Sequence, residues 1–390
     1  MRGHHGRRSR GCVSRPPASG ALRWRPGGLP AARSGGRYGR RPHSRRGCAI
    51  ARYLGSRAPR EELRRSFLPT QPIPGLHHIT AIASDPQRNL DFYTQVLGLR
   101  FVKKTVNFDD PNTYHFYFGD DTGTPGTILT FFPWPHASRG KVGAGEVIRT
   151  AFSVPPASIA YWESRLASHH LPSERTERTE AGLDETVLAF SDPDGMKIEL
   201  VGHAEPTGPG ASRFSDVPAE HAILGLFGVT ILQRDARRTE AALALLGFHK
   251  VAEEGNWLRL AAAGHALGNH IDIVTDPEAG RGRLGAGTVH HIAFRSADAQ
   301  DQQEWLAVIS RHLDVSPVME RAYFRSIYFR EPGGVLLELA TDSPGFTADE
   351  PLESLGEELR VPEWLEAQLV PLAQRLPPVV LHKAKGGTPA

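Results

Sequence analysis

Residues 329–341 read FREPGGVLLELAT, and residues 190–202 read FSDPDGMKIELVG. Each runs aromatic, polar, acidic, proline, turn residue, glycine, then a largely apolar stretch with a glutamate four positions after the glycine. An acidic-Pro-x-Gly turn feeding an extended apolar segment signals a hairpin. Each second strand is therefore expected to carry a single carboxylate, Glu199 in one copy and Glu338 in the other. Symmetry of the later hairpin about Gly333 would set Tyr328 opposite Glu338, a register that one residue of slippage would destroy.

The repeat extends outward from the hairpins. Residues 89–104, NLDFYTQVLGLRFVKK, resemble residues 240–254, EAALALLGFHKVAEE, in closing an apolar helical face on Leu-Gly before a strand. Asp85-Pro86 supplies a cap and first-turn proline for the first of these helices, and Gly98 its stop. Four units result, at about 74–134, 146–203, 221–276 and 287–342. Each reads strand, helix, then two or three strands, with Gly/Pro-rich joints between them. A βαβββ unit alone leaves one sheet face bare, so the units are expected to pair. The fold class is α+β, with four βαβββ modules paired into two curved half-barrel domains that enclose a cavity. The domain boundaries follow: an Arg-rich disordered extension over 1–72, an N-terminal two-module domain over 73–205, a C-terminal one over 219–345, and a helical tail over 346–390.

Charge is uneven along the chain. Lys and Arg total 46 against 43 Asp and Glu, yet residues 1–60 hold 16 arginines, no lysine and no acid. The remainder is strongly acidic, which argues against a nucleic-acid surface on the folded body. Both cysteines, Cys12 and Cys48, lie in the Arg-rich segment, so the body has neither a disulfide framework nor a thiolate ligand. No apolar run is long enough for a membrane span, and no secretory leader is evident. Three readings fit the first 70 residues: a basic arm, an organelle transit peptide, or upstream sequence carried into the reading frame. A cytoplasmic protein, with self-association into a homo-oligomer, is the expectation for the body.

The first strands of units one and four carry matching histidine pairs, in GLHHITAIAS at 75–84 and TVHHIAFRS at 288–296. Strand alternation would send one ring of each pair into the cavity and the other to the layer behind. His77 shares its face with Ile79 and Ala81, and His290 with Ile292 and Phe294, so these two are assigned to the rear. His78 and His291 are assigned to the cavity. Glu338 is aimed alone from a strand whose other face is apolar, and a buried carboxylate needs a metal or a partner. Two imidazoles and one carboxylate form the ligand set of mononuclear non-haem iron sites, although manganese and zinc also accept it. Units two and three have no histidine on their first strands, so Glu199 is left as an ion-paired remnant of the repeat. Arg321, in ERAYFRSIYFREPGG, starts the Tyr328 segment and could pair with a phenolate or carboxylate. The aromatic strings TYHFYF and FFPW could line a flat pocket or pack a core.

These motifs, with YFRSIYFREPGGVLLELATDSPGF, resemble the ring-cleaving dioxygenases of the vicinal oxygen chelate superfamily, over about residues 73–375. The hydroquinone-opening branch is the nearer likeness. The resemblance implies Fe(II), with Mn(II) as the other candidate, held by His78, His291 and Glu338. It further implies Tyr328 and Arg321 around the substrate and 1,2-cleavage of an aromatic diol by O2; His77 and His290 are read from their place behind the ligands as assisting groups, and Tyr328 or His77 as the proton donor. Three competitors carry the same repeat: a catechol-type extradiol dioxygenase, a glyoxalase-like metal-dependent lyase or isomerase, and a metal-free binding module.

Overall fold

A computed structural model describes residues 72–204, 208–209, 212–264 and 267–382. Residues 1–71 of the expected disordered extension, both cysteines and the last residues of the expected tail lie outside these residues. The described residues fall within one compact unit, Ala58–Ala390.

Each module is a strand, a helix and three further strands. The first holds β1 (Leu76–Ala83), α1 (Pro86–Asp91) continued by a π turn (Phe92–Val96), β2 (Arg100–Asn107), β3 (Asp110–Gly119) and β4 (Ile128–Pro133). The second holds β5 (Glu146–Val154), α2 (Ile159–Ser168), β6 (Glu174–Arg178), β7 (Glu185–Ser191) and β8 (Lys197–His203). The third holds β9 (Gly225–Gln233), α3 (Arg237–Leu245), β10 (His249–Glu254), β11 (Trp257–Ala261) and β12 (His270–Thr275). The fourth holds β13 (Thr288–Ser296), α4 (Ala299–Ile309), β14 (Met319–Glu320), β15 (Arg325–Arg330) and β16 (Leu336–Thr341). Asp85 caps α1 by accepting the Arg88 N–H at 2.8 Å. Gly98 follows with φ +68°, where a Cβ would strike Ser215 and Val217.

Two curved eight-stranded sheets result. One runs β14-β15-β16-β13-β1-β4-β3-β2 and the other β10-β11-β12-β9-β5-β8-β7-β6. Modules one and four thus share a sheet, joined by antiparallel β1 and β13. Modules two and three share the other through β5 and β9. The acidic-Pro hairpin turns tie the sheets together. Asp192 accepts the Tyr93 hydroxyl at 3.1 Å, and Asp194 accepts the Ser84 N–H at 2.8 Å. In the mirrored position Glu331 accepts the Thr239 hydroxyl at 2.9 Å. The apolar core lies behind the sheets, where Trp162, Leu243, Trp305 and Ile309 of the helices pack on the rear strand residues. After β16 the chain passes through short 3-10 turns to α5 (Leu369–Arg375). There Lys103 on β2, fully buried, holds Asp349 at 2.6 Å and also Glu350, fastening the segment across the first sheet. No described helix is long and apolar enough to cross a membrane.

Candidate metal centre

Three adjacent strands of the first sheet carry the site. Ala293 on β13 pairs with His78 on one side and with Glu338 on the other, and Thr80 pairs with His291. All three side chains are buried, and their ligand atoms lie within 4.8 Å of one another. His291 Nε2 stands 2.9 Å from Glu338 Oε2, and His78 Nε2 stands 3.4 Å from the same oxygen.

The neighbouring histidines correct the alternation argument. On β1, Leu76 pairs with Phe294 and His78 with Ala293, which leaves His77 out of register; on β13, Thr80 pairs with His291 and Ala81 with Val289, which leaves His290 out. Each pair therefore sits at a β-bulge, where an extra residue re-aims its side chain. His77 and His290 do not turn to the rear layer. Their Nδ1 atoms lie 2.9 and 2.8 Å from the Nδ1 atoms of His78 and His291, with the rings edge-on.

This geometry fixes a tautomer. Burial holds His77 well below the usual histidine pKa, so its ring is neutral, with one N–H. A hydrogen bond to the Thr341 backbone favours its protonated form, so the partner is an accepting carbonyl. The Nδ1 atom faces His78, so Nε2 carries that hydrogen and Nδ1 accepts from His78 Nδ1–H. His78 Nε2 is then a bare lone pair aimed at a carboxylate oxygen, as a metal ligand requires. Burial likewise lowers His291, and lowers His290 to about 3.

Glu338 is fully buried, and burial alone would raise its pKa. His78 and His291 outweigh that and hold it well below the carboxylate range. Its Oε1 accepts the Ser326 hydroxyl, while Oε2 receives no hydrogen bond despite being buried. Two imidazole nitrogens and a buried carboxylate oxygen converging within 4.8 Å fit a divalent cation, and the mixed N/O donor set suits iron, manganese or zinc.

Tyr328 pairs with Glu338 across β15 and β16, the register that symmetry about Gly333 anticipates. Burial raises the phenol above its usual pKa and Glu338 adds to this, so the hydroxyl keeps its proton; Arg321 opposes. Arg321 Nε donates to that hydroxyl at 3.2 Å, and its Nη2 meets Asp109 at 3.0 Å. Burial works against the guanidinium charge, but Tyr328 and Asp109 more than restore it.

Sequence reasoning missed Asp109, Ser326 and above all His115. His115 is half-buried, and the site residues His78, His291, Arg321 and Glu338 all act on its charge. Its spacing of two from Tyr117 on β3, amid an otherwise aromatic string, was the available signal.

The second sheet holds the same frame without the histidines. Ala151 pairs with Gly228 and Glu199 as Ala293 pairs with His78 and Glu338. Glu199 there meets Arg178 at 2.7 Å and Arg149 at 3.2 Å, as the remnant reading anticipates.

Paired βαβββ modules with a converging His/His/Glu set that could hold a metal define a protein of the glyoxalase type. The sequence profile of the Glyoxalase/Bleomycin resistance protein/Dioxygenase superfamily matches residues 75–200. The chain is 45% identical over 306 residues to MhqO of Bacillus subtilis, a provisionally named ring-cleaving dioxygenase, covering 78% of this chain and 96% of the relative. It is 34% identical over 308 residues to a chlorohydroquinone/hydroquinone 1,2-dioxygenase of Sphingobium indicum, covering 75% and 93%. A crystal structure of a provisionally named Bacillus subtilis dioxygenase superposes with TM-score 0.76 at 43% identity, covering 81% of this chain and all of that one. Glyoxalase I of Zea mays, 14% identical with TM-score 0.52 over 73% of this chain and 97% of that one, shares the fold. The chain belongs to this superfamily and stands among its ring-cleaving dioxygenases.

Proposed function

We propose that the protein is an Fe(II)-dependent dioxygenase, with Mn(II) as the alternative metal, that opens a hydroquinone-type ring between C1 and C2 with O2. The observation that carries this is the bare His78 Nε2 and the unsatisfied Glu338 Oε2 converging with His291 Nε2, in a chain 34% identical to a hydroquinone 1,2-dioxygenase. His78, His291 and Glu338 would hold the metal, which supplies the one-electron chemistry that lets triplet O2 react with a closed-shell ring.

The remaining residues bind, orient and move protons. His78, His291 and Glu338 would hold the metal with three protein ligands, which would leave coordination positions for a diol. Tyr328, protonated and anchored by Arg321, presents a donor beside the ligand carboxylate and acts as the proton source to oxygen at the cleaved carbon. Arg321 offsets the negative charge of an ionised diol and, through Asp109, ties the β2–β3 hairpin to the site. His77 and His290 hold the ligand rings in their metal-binding tautomers and orientations.

We further take residues 73–205 and 219–345 as the two duplicated domains of a cytoplasmic enzyme that self-associates, the last to be checked by light scattering. The test of function is anaerobic loading with Fe(II) or Mn(II), then oxygen uptake with hydroquinone, methylhydroquinone and catechol. Uptake with the para diols exceeding that with catechol is expected. Uptake with catechol alone would move the protein to the extradiol class, and none with any diol would overturn the proposal.

A further inference from the structure

A chain of hydrogen bonds crosses the concave face of the first sheet and ends beside the metal ligands. The Tyr117 hydroxyl lies 2.8 Å from His115 Nδ1, and His115 Nε2 lies 2.8 Å from Thr130 Oγ1. Thr130 donates to Thr80 Oγ1, again at 2.8 Å. Every member is buried or nearly so, on strands β3, β4 and β1.

The direction of the chain follows from counting hydrogens. The Thr130 hydroxyl has one hydrogen, spent on Thr80, so toward His115 it can only accept. His115 Nε2 must then carry the ring hydrogen. Burial keeps this imidazole neutral, with His78, His291 and Arg321 acting the same way and Glu338 opposing. A neutral ring has only that one hydrogen, so Nδ1 accepts and Tyr117 donates. Polarity runs without a break from the Tyr117 hydroxyl to Thr80.

Thr80 therefore receives a hydrogen bond and keeps its own hydrogen. Among the described residues no acceptor takes it, although Thr80 is fully buried. A buried donor without an acceptor is rare and costly. Thr80 sits on the face of His78 two residues along β1, and directly opposite His291.

We propose that His115, oriented by Tyr117, is a positioning residue that fixes the Thr80 hydroxyl so that its hydrogen is presented to an oxygen of a bound aromatic diol. The inference rests on the diol reading above. It adds a donor on the β1 side of the site, across from Tyr328 on β15. His115 acts only through Thr130 and Thr80, and touches no substrate.

Two measurements test it. Imidazole nitrogen NMR on the zinc-loaded, diamagnetic protein should show His115 as the Nε2–H tautomer, and the Nδ1–H tautomer would overturn the polarity. A double-mutant cycle then tests the route, reading anaerobic hydroquinone affinity of the iron-loaded protein by calorimetry. His115→Leu should weaken binding about five- to tenfold, the worth of one net hydrogen bond. The same change in a Thr80→Val background should add less than about twofold, because residues coupled through one network are non-additive. His115→Gln, whose amide both accepts and donates, should restore the loss. Additive losses, or no rescue by glutamine, in a wild type that binds hydroquinone would overturn the inference alone. A wild type that binds no diol would overturn the diol reading and the ligand assigned to Thr80 with it.

Discussion

Replacing His77 by phenylalanine isolates one feature of the site. Phenylalanine keeps the ring volume and the edge-on contact with Phe324, whose centroid lies 5.2 Å from that of His77. It removes the acceptor 2.9 Å from His78 Nδ1 and the donor to the Thr341 carbonyl. His78 is then free to place its hydrogen on Nε2, 3.4 Å from Glu338 Oε2, where a hydrogen bond to the carboxylate rewards it. That tautomer cannot bind a metal, so loading must first reverse it. Loss of an outer partner of a ligating histidine typically costs tenfold to a hundredfold in metal affinity, about 1.4–2.7 kcal/mol. The orphaned Thr341 carbonyl adds about 1 kcal/mol of lost stability, which falls on the apo protein as well. Chelator competition should therefore show Fe(II) affinity down at least tenfold in His77→Phe, while urea unfolding of the metal-free protein shifts only slightly. His77→Gln, able to accept from His78 and donate to Thr341, should recover most of the affinity. Wild-type affinity in His77→Phe would refute the tautomer argument and return His77 to simple packing.

Other outcomes follow from the same geometry. His78→Ala, His291→Ala or Glu338→Gln should each reduce iron content by elemental analysis to near background, since the described residues bring only three protein ligands together. Tyr328→Phe should lower kcat about a hundredfold or more with intact iron content, within the range for a lost general acid, whereas Arg321→Leu should mainly raise KM for ionised diols. Glu199→Gln in the second sheet should leave metal stoichiometry unchanged and lower unfolding stability by about 1–3 kcal/mol, because Arg178 and Arg149 lose a buried carboxylate. Asp192, raised to about 6 chiefly by burial, binds its proton more tightly in the folded than in the unfolded chain. Its own contribution to stability is therefore full below about pH 4, is lost as pH rises to about 6 and then stays constant; Asp192→Asn should remove that contribution from the urea-unfolding profile.

What was legible in the sequence depended on how local the determining interaction is. Modules could be read because each helix face, turn and strand is specified within a few dozen residues, and the Glu331-Pro332-Gly333-Gly334 turn sets the Tyr328–Glu338 register by itself. The pairing of module one with module four could be inferred because only that pairing brings two histidines to one glutamate. The bulges at His77 and His290 could not. Each exists only in the pairing of β1 with β13, partners more than two hundred residues apart in the chain, and period-two reading assumes a regular strand. His115 escaped for a different reason: in TYHFYF its neighbours look like core, and its role appears only when Thr130 and Thr80 arrive from two other strands.

The two sheets face one electrostatic problem and resolve it differently. Each places a buried glutamate beside an alanine of its central strand pair, Glu338 by Ala293 and Glu199 by Ala151. An ionised carboxylate cannot remain there unpaired. In the second sheet glycine stands where His78 would be, and the guanidinium groups of Arg178 and Arg149 neutralise the charge from within the chain. In the first sheet no lysine or arginine among the described residues reaches Glu338 Oε2; the nearby cation, Arg321, is engaged by Tyr328 and Asp109. In the first sheet His78, His291 and Glu338 instead form a site that could take that charge from outside, as the metal proposed above. The repeated frame thus keeps its glutamate in both sheets, closed by arginine in the second and left among imidazoles in the first, which is why the proposed chemistry is assigned to the first.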